Sequence, residues 1–565
     1  MKKIVFLTLS LTLSVGLFAQ HNEEVTIEGT YRPKVNKVNK ILLNPETPQQ
    51  VFEMPGTEVQ LLEIEHRFPL ELDKLTALDY YGKNAGAHEP AKNFLMAGFG
   101  SRISPMFLYN HNSKLTKNLG LGVGIKHYSS WLDIKDYAPS SFMNNAFAIG
   151  LTSSKYKGIQ MGGKVFYKND MYHYYGVNLA ETSLTDVQIE QYCPRQTYNT
   201  IGTHFELAST TTRNGAFVHD LGVDYHYLFA KTGGKEHFAG MSYDLGYVDS
   251  WWGKKNHPQK IGVALGVQYD NTAFVSSTGD NRLIFKVNPY FEMKDDFYRL
   301  HLGVRMDGAT KFESTARLLS VHPDVKGSLF VLDNTLEFYA GLNGGRKLVS
   351  YSDLIEENPY VAPRLNMEVT TVKLGFEGGF RAHLMNTLDA HVGVRYRHTL
   401  NDPFYIVYGR TVGGHALENM FDVFYDESHL TSVLADVRWL VFDKVAIDAG
   451  VTYNNYQLAV LGRALYRPKF EAKLKVNYDP TENLSLYSSF LFQNGRFART
   501  QSPYLIVPSF EMKPVMDLGL GADFRVNDQL AVFAKVNNLL HQKYQLYYNY
   551  PVNGIEFFAG LKMTF

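Results

Sequence analysis

The side chains that could carry out chemistry are scattered through this sequence. It contains no GxSxG nucleophile motif, no HExxH zinc motif, no phosphate-binding P-loop and no EF-hand loop. His173 in MYHYYG and His226 in DYHYLF each stand among tyrosines, and the 19 histidines include no pair with the ligand spacing of a zinc site. We therefore predict no catalytic residue, no cofactor and no metal site, and we interpret both histidines as girdle or lumen positions on strands.

A second group of residues could bind a ligand by stacking. Tyr504, Tyr547, Tyr548 and Tyr550 follow one another near the end of the chain and could stack on a sugar or another ring. A belt of aromatic residues at a membrane interface explains them equally well. The single cysteine, Cys193, allows neither an internal disulfide nor a CxxC site, so we interpret it as a loop thiol without a function.

Composition limits the class of protein. The chain has 565 residues with 56 Lys and Arg against 56 Asp and Glu, so its charge gives no indication of a nucleic-acid partner. It is rich in Phe (37), Tyr (37) and Gly (46), which are typical of strands and of turns. No internal stretch approaches the roughly 18 to 20 apolar residues of a membrane-spanning helix, which argues against a helical membrane protein.

The first 90 residues predict export. Residues 1–19 join a short basic start to the apolar run IVFLTLSLTLSVGLFA, as in a secretory signal peptide cleaved after Ala19. A retained signal anchor is the alternative. Residues 20–90 are rich in proline and poor in periodic apolar residues, so we predict a short irregular periplasmic segment. This segment could also be partly ordered against the inside of a barrel.

The sequence from Asn93 onward alternates between apolar and polar residues with a period of two, which is the signature of strands. In residues 445–453, for example, every second residue is apolar, while Asp448 falls in the opposite row. Asp448 and Asp523 alternate inward beside lysines, which indicates a polar lumen. Short turns alternate with long loops at 129–142, 349–363 and 492–509. We predict an all-β fold in which residues 91–565 form a transmembrane antiparallel outer-membrane β-barrel of about 18–22 strands, with no need for helices.

A secreted β-sandwich or propeller would also alternate, so periodicity alone does not decide between these folds. The end of the chain favours the barrel, because Phe557, Leu561, Met563 and Phe565 belong to one apolar row that runs to the last residue. We interpret these four residues as a barrel-assembly signal read by the assembly machinery, and outer-membrane lipid as the partner of the apolar row. The short turns and both termini are then expected in the periplasm and the long loops outside the cell.

Two stretches carry a family resemblance. The segment VFAKVNNLLHQKYQLYYNYPVNGIEFFAGLKMTF (532–565) resembles the last hairpins of TonB-dependent receptors, and EEVTIEGTYRPK (23–34) is similar to a TonB box leading into a plug. The barrel start and the LFAQ signal end resemble TonB-dependent-receptor-like barrels of the Bacteroidota type. The resemblance implies an outer-membrane receptor of a Gram-negative bacterium, with Glu24, Val25, Thr26 and Ile27 as a TonB-box-like segment and with TonB as a partner.

One departure from that family affects the functional prediction. Its members carry a globular plug of well over a hundred residues, whereas only about 70 residues are available here, so a full-size plug does not fit. Either a minimal peptide, another protein or the barrel's own loops would then close the lumen. Two functions are open: transport or binding of an unidentified nutrient, and a non-transporting subunit of an outer-membrane assembly, secretion or uptake complex with other envelope proteins. We predict that the protein is not an enzyme.

Overall fold

The computed structural model describes residues 92–565 apart from 157, 183, 210–213, 253–256, 276, 312–317, 333–334, 385–386, 443 and 502–507. The signal peptide, the segment 20–90 and the TonB-box-like residues lie outside the described residues. Among the described residues there are two short helices, α1 (Asp186–Tyr192) and α2 (Tyr351–Glu357). The strands are, in order, β1 (Asn93–Gly100), β2 (Ser104–Thr116), β3 (Leu119–Ser130), β4 (Phe142–Tyr156), β5 (Ile159–His173), β6 (Arg195–Ser209), β7 (Ala216–Ala230), β8 (Lys235–Asp249), β9 (Gln259–Phe274), β10 (Ser277–Lys294), β11 (Tyr298–Lys311), β12 (Leu318–Val331), β13 (Leu336–Leu348), β14 (Val369–Leu384), β15 (Leu388–Tyr408), β16 (Arg410–Val412), β17 (His415–Leu417), β18 (Phe421–Phe442), β19 (Val445–Leu458), β20 (Phe470–Thr481), β21 (Leu484–Asn494), β22 (Phe497–Ala498), β23 (Thr500–Gln501), β24 (Phe510–Glu511), β25 (Val515–Arg525), β26 (Leu530–Asn537), β27 (Gln545–Tyr547), β28 (Tyr550–Pro551) and β29 (Glu556–Thr564).

Twenty-two of these strands form one closed antiparallel ring. Each long strand pairs with the next one along the chain, and the last strand, β29, returns to pair with β1. The predicted all-β barrel of 18–22 strands is therefore confirmed, at the upper limit of that range. The expectation that no helix is needed was wrong, because α1 and α2 lie in loops, where seven residues are too few to show a helical period. Among the described residues, no helix is long and apolar enough to cross a membrane.

The outer wall is apolar in its middle and aromatic towards both ends. Exposed aliphatic residues lie near the middle of the strands, for example Ile149, Val165, Val267, Val394 and Leu474. Exposed Phe and Trp residues lie near the short turns, at Phe217, Trp252, Phe297, Trp439, Phe442, Phe524 and Phe565. Outward-facing Tyr and His residues lie near the long loops, at His127, Tyr167, Tyr225, His237, Tyr269 and Tyr396. An aliphatic band between two aromatic girdles is the surface of a transmembrane barrel.

The inner wall is polar, as predicted. Asp448 lies opposite Lys475 and accepts a hydrogen bond from Arg438 Nε at 2.7 Å. Asp523 accepts one from Lys562 Nζ at 2.5 Å. Because side chains alternate along each strand, this charged row is the necessary counterpart of the apolar row outside.

The two ends of the barrel differ sharply. One end has mostly short connections, such as residues 117–118, 443–444 and 482–483. The opposite end carries the long connections, which are 131–141, 174–194, 349–368, 409–420, 459–469, 495–514 and 538–555. We refer to these as the short-turn end and the long-loop end.

The ring closes on a pair of glycines. Gly98 of β1 lies directly opposite Gly560 of β29, and the inward-facing ring of Phe533 covers them both. A Cβ on Gly560 would lie 2.2 Å from the carbonyl oxygen of Ala97 and 2.6 Å from the Cα atom of Gly98. The backbone atoms of the seam cannot move away without breaking the strand pairing, so this position requires glycine.

The first prediction concerns this seam. Gly560→Ala should lower the free energy of unfolding by about 1–3 kcal/mol, because the methyl group overlaps backbone atoms of β1. Gly266→Ala is the matched control, since its Cβ would meet only Lys286 side-chain atoms at 3.5 Å, an ordinary contact. Urea unfolding of the two variants in lipid vesicles measures the difference. Equal midpoints would show that the seam does not depend on glycine.

The second prediction concerns the lipid-facing wall. Val267 lies outward near the middle of β9 and its neighbour Gln268 lies inward. Val267→Arg should destabilise the inserted barrel by about 2–4 kcal/mol, since it places a charge in the hydrocarbon region. Gln268→Arg, a change of the next residue to the same side chain, should have a much smaller effect. The same unfolding measurement applies, and a reversed order of the two effects would contradict the inside-outside assignment.

Candidate functional site: the loop lid

The described parts of the long loops pack against one another. We use the term lid for the seven long connections named above together with the inward-bent tips of β15 and β18. Its interior is a continuous apolar cluster that includes Tyr175, Tyr192, Leu354, Val361, Phe404, Val407, Phe421, Leu465, Ala498, Tyr547 and Tyr550. Loops from widely separated positions around the ring therefore share one hydrophobic core.

The loop 349–368 lies at the centre of the lid and is fixed to the inner wall by a buried arginine. Arg282 of β10 donates hydrogen bonds to the carbonyl oxygens of Val349 at 3.0 Å and of Glu368 at 3.1 Å. Val349 and Glu368 are the first and last residues of this loop. Arg282 and its ion-pair partner Asp270 are both fully buried. Because one guanidinium group binds both ends of the loop, the loop cannot leave the lumen without breaking a buried charged network.

Helix α2 is held to the wall at its first turn. Ser350 and Asp353 form a capping box, so the sequence itself starts the helix there. The buried carboxylate of Glu236 on β8 accepts hydrogen bonds from the backbone N–H groups of Tyr351 and Ser352, the latter at 3.0 Å. A negative charge at a helix N-terminus is favourable. The loop begins at the end of β13, which lies five strands away from β8 in the ring. To reach Glu236, the loop therefore has to extend over the lumen.

Tyrosine hydroxyl groups connect the surrounding segments to this central loop and to one another. Each of these hydroxyl groups donates to a backbone carbonyl oxygen at 2.6–2.9 Å: Tyr174 to Val361, Tyr198 to Pro359, Tyr405 to Leu354, Tyr547 to Glu357, Tyr175 to Pro551 and Tyr550 to Asn419. The ring of Tyr360 also stacks on that of Tyr550, with 3.8 Å between the ring centroids. Tyrosine suits this role because its ring fills the core while its hydroxyl group satisfies a loop carbonyl that would otherwise be buried without a partner.

The hairpin of β15 and β18 bends over the lumen. Both strands are longer than the wall requires, with 21 and 22 residues, and their pairing has a bulge between Thr399 and Asp402. Asn401 at the bulge has φ = 51°, a left-handed conformation that asparagine tolerates. Beyond the bend, the backbone N–H of Val407 donates to the carbonyl oxygen of Arg499, at 3.0 Å, in a neighbouring loop. The bulge thus turns the end of a wall strand into part of the lid.

Asn419 joins two further loops and lies beside the only cysteine. Its side-chain amide donates to the carbonyl oxygens of Tyr174 and Tyr192 at 2.8 and 2.9 Å, and Cys193 Sγ lies 3.7 Å away. Cys193 is 2% exposed, and burial raises the pKa of its thiol to about 11. At neutral pH the group is a protected, neutral thiol, so its reaction with an alkylating reagent would report opening of the lid.

The residues singled out from the sequence have different positions in the structure. His226 faces the lumen, where its Nε2 lies 3.1 Å from a Glu236 carboxylate oxygen and 3.0 Å from Ser352 Oγ, next to the lid's anchor. The Nδ1 of His173 bonds to the carbonyl oxygen of Ser141 at 2.8 Å.

The tyrosines near the end of the chain need a correction. Tyr547 and Tyr550 belong neither to a membrane belt nor to an open stacking surface, because they are buried inside the lid. Tyr548 is half-buried against the ring of Phe510, and Tyr504 lies outside the described residues. The sequence of a tyrosine-rich loop is compatible with a membrane belt, an open stacking surface or a buried core. Only the contacts with neighbouring loops distinguish these three possibilities.

The predicted assembly residues all lie on the closing strand or at its end. Phe557, Leu561 and Phe565 are exposed on the outer wall, and Met563 occupies the same outward row. Their recognition by the assembly machinery stays a prediction. Sequence reasoning missed Arg282, Glu236 and Asn419, because single polar residues within alternating strands or loops carry no motif.

A cleft of about 320 Å³ lies on the outer wall rather than in the lid. It is lined by side chains near the long-loop end, including Tyr225, His237, Tyr269 and Asn271. These residues belong to the outer aromatic girdle, so the cleft faces the lipid headgroup level and not the lumen.

No family model matches the chain, and no curated protein matches its sequence. Solved structures do resemble it. The siderophore receptor PirA from Acinetobacter baumannii matches with a TM-score of 0.64 and 12% identity, over 84% of this chain and 80% of that one. The ferripyoverdine receptor of the outer membrane of Pseudomonas aeruginosa matches with a TM-score of 0.62 and 12% identity, over 84% and 72%. The copper transporter OprC gives 0.57 and 12%, over 84% and 80%.

At such identities the likeness concerns the fold. These structures and the closed ring together define the fold of the chain as an outer-membrane β-barrel.

The third prediction tests the anchor of the lid. Arg282→Met should destabilise the protein by about 3–5 kcal/mol, because it leaves Asp270 as an unpaired buried charge. It should also release the loop 349–368 and so increase the rate at which a maleimide labels Cys193 at neutral pH. Arg438→Met is the control, since the Arg438 side chain is 75% exposed and its ion pair with Asp448 contributes no more than about 1 kcal/mol.

A second variant separates loss of the anchor from general misfolding. Adding Asp270→Asn to Arg282→Met removes the unpaired charge and should recover stability while labelling stays fast. If Cys193 is labelled at the wild-type rate in this folded double variant, the arginine does not hold the lid.

Proposed function

We propose that this chain is an outer-membrane receptor that imports a small nutrient, and that the lid is the closed gate at its outer entrance. The observation that carries the proposal is the combination of a closed ring with a charged inner wall and a set of loops packed across one end. A wall that only anchored the protein would not need a polar lining around a lumen of 22 strands. The long-loop end is then extracellular, and the short turns and both termini are periplasmic.

The structural neighbours support this class of function. PirA and the ferripyoverdine receptor are named for siderophores, and OprC is named as a copper transporter. They favour a scarce nutrient, a metal chelate or a metal, as the cargo here. The TonB-box-like residues Glu24, Val25, Thr26 and Ile27 would couple the barrel to TonB.

The lid also bears on how the lumen is closed. The packed loops provide a way of closing the lumen that does not depend on a full-size plug. We propose that closure at the long-loop end supplements or replaces the plug. Import would then require the loop 349–368 to move away from its buried anchor on β8 and β10.

The fourth prediction tests the gate by conductance. Replacing residues 352–366 with a four-residue Gly-Ser linker keeps the carbonyl partners of Arg282, Val349 and Glu368, but removes the centre of the lid. In planar bilayers with KCl, this variant combined with deletion of residues 20–90 should give stable ohmic steps, while the wild-type protein stays closed. Each single change and Arg438→Met serve as controls. A silent double variant that still inserts as a barrel would contradict the gate.

Cell growth tests the cargo and the coupling. A strain lacking the protein should grow poorly when one nutrient, such as a ferric catecholate or copper, is limiting. The wild-type gene should restore growth, and Val25→Pro should not, since proline prevents the strand pairing that a TonB-box-like segment would use.

The alternative function is a non-transporting subunit of an envelope complex. The observation that favours it is the dense tyrosine network, which holds the loops of the lid together as one packed surface that a partner protein could contact. Three results together would support this alternative against import. Other envelope proteins would co-purify with the chain, the variant without residues 352–366 and 20–90 would show no conductance, and loss of the protein would leave growth unchanged on every nutrient.

A further inference from the structure

A group of three potential metal ligands lies on the outer wall near the long-loop end. His398 of β15 and His429 of β18 are directly paired across the two strands, and Glu427 lies two residues before His429 on the same face. The ligand atoms of all three side chains lie within 4.8 Å of one another. His398 Nε2 is 2.6 Å from a carboxylate oxygen of Glu427.

The two imidazole rings are arranged as a pair. They stack with 4.1 Å between their centroids and 18° between their planes. The hydroxyl oxygen of Tyr396 lies 2.8 Å from His429 Nδ1 and fixes the orientation of that ring.

The donor set indicates which ions would fit. Two imidazole nitrogens and one carboxylate oxygen suit Zn²⁺, Ni²⁺ or Cu²⁺, whereas Ca²⁺ and Mg²⁺ require oxygen ligands. The His398 and Glu427 side chains are 19% and 41% exposed, so an ion can reach them from outside. We propose that His398, Glu427 and His429 form a binding site for one divalent transition-metal ion, held between β15 and β18.

The position of the site gives it a structural consequence. The bulge between Thr399 and Asp402 starts immediately after His398, and beyond it both strands leave the wall to enter the lid. An ion bound by one ligand from β15 and two from β18 would fasten the base of this hairpin. The metal site would therefore hold the lid hairpin in its bent position. The inference does not depend on the proposed import function.

A second group in the described residues provides an internal control. His257, Asp295 and Asp296 also lie within reach of one another, in connections at the short-turn end. With one imidazole and two carboxylates, this group lacks the second imidazole of the proposed site. His257→Ala removes its only nitrogen donor and leaves the proposed site intact.

The fifth prediction is tested by titrating chelator-treated, detergent-solubilised full-length protein with ZnCl₂ in a calorimeter. The wild-type protein should bind one zinc ion that His257→Ala also binds. His398→Gln and His429→Gln should each weaken binding by more than about 10-fold, since even loss of an outer partner of a metal ligand costs about 10–100-fold. Tyr396→Phe should have a smaller effect in the same direction. Visible absorption of bound Co²⁺, lost in both glutamine variants, would confirm nitrogen ligation.

Two results would overturn the inference. Zinc binding that is unchanged in both glutamine variants, or that disappears in His257→Ala, would show that the ion binds elsewhere. The consequence for the lid is measured separately by alkylation of Cys193, which zinc should slow in the wild-type protein and not in His429→Gln. Equal rates with and without zinc in a protein that binds it would refute the fastening of the hairpin.

Discussion

The structure depends on one constraint: within a bilayer, every backbone N–H and C=O group of the wall must find its partner inside the protein. Each unsatisfied group would cost several kcal/mol, so an open sheet edge is not tolerated. The ring meets this constraint by pairing β29 with β1, and the glycine pair at positions 98 and 560 lets the two backbones and the Phe533 ring fit at the seam. The alternation of the side chains follows from the same geometry, because a strand in a closed wall has one face towards lipid and the other towards the lumen.

At the long-loop end the same requirement is met in a different way. Loops have no ladder of hydrogen bonds, so burying them leaves carbonyl groups that need donors. Tyrosine hydroxyl groups, the Asn419 amide and the Arg282 guanidinium provide these donors. The lid is consequently held by side-chain-to-backbone hydrogen bonds around an apolar core. The lid can therefore open while the wall stays intact, because its hydrogen bonds are separate from the continuous backbone hydrogen bonds of the wall.

The link between wall and lid is concentrated at a few positions. Arg282 and Glu236 belong to wall strands but bind the central loop, and the bulge after Thr399 redirects a wall strand into the lid. A change at any of these positions would therefore affect the lid as well as the wall. The His398, Glu427 and His429 group lies next to one of these positions, which is why an ion bound there would matter for the lid.

The sequence by itself determined the barrel, its two-faced strands, its size range and the distribution of short turns and long loops. These features are local, since a period of two and the residues of a turn can be recognised within a dozen positions. The position of Asp448 and Asp523 in the lumen followed from the same alternation.

Only the tertiary structure decided what the long loops do. The contacts of Tyr550 with Asn419 and of Arg282 with Val349 join residues 131 and 67 positions apart. His398 and His429 likewise meet only because their strands pair in one register. No local pattern records such pairings, because they arise from the curvature of a closed wall that brings loops from distant strands over one lumen.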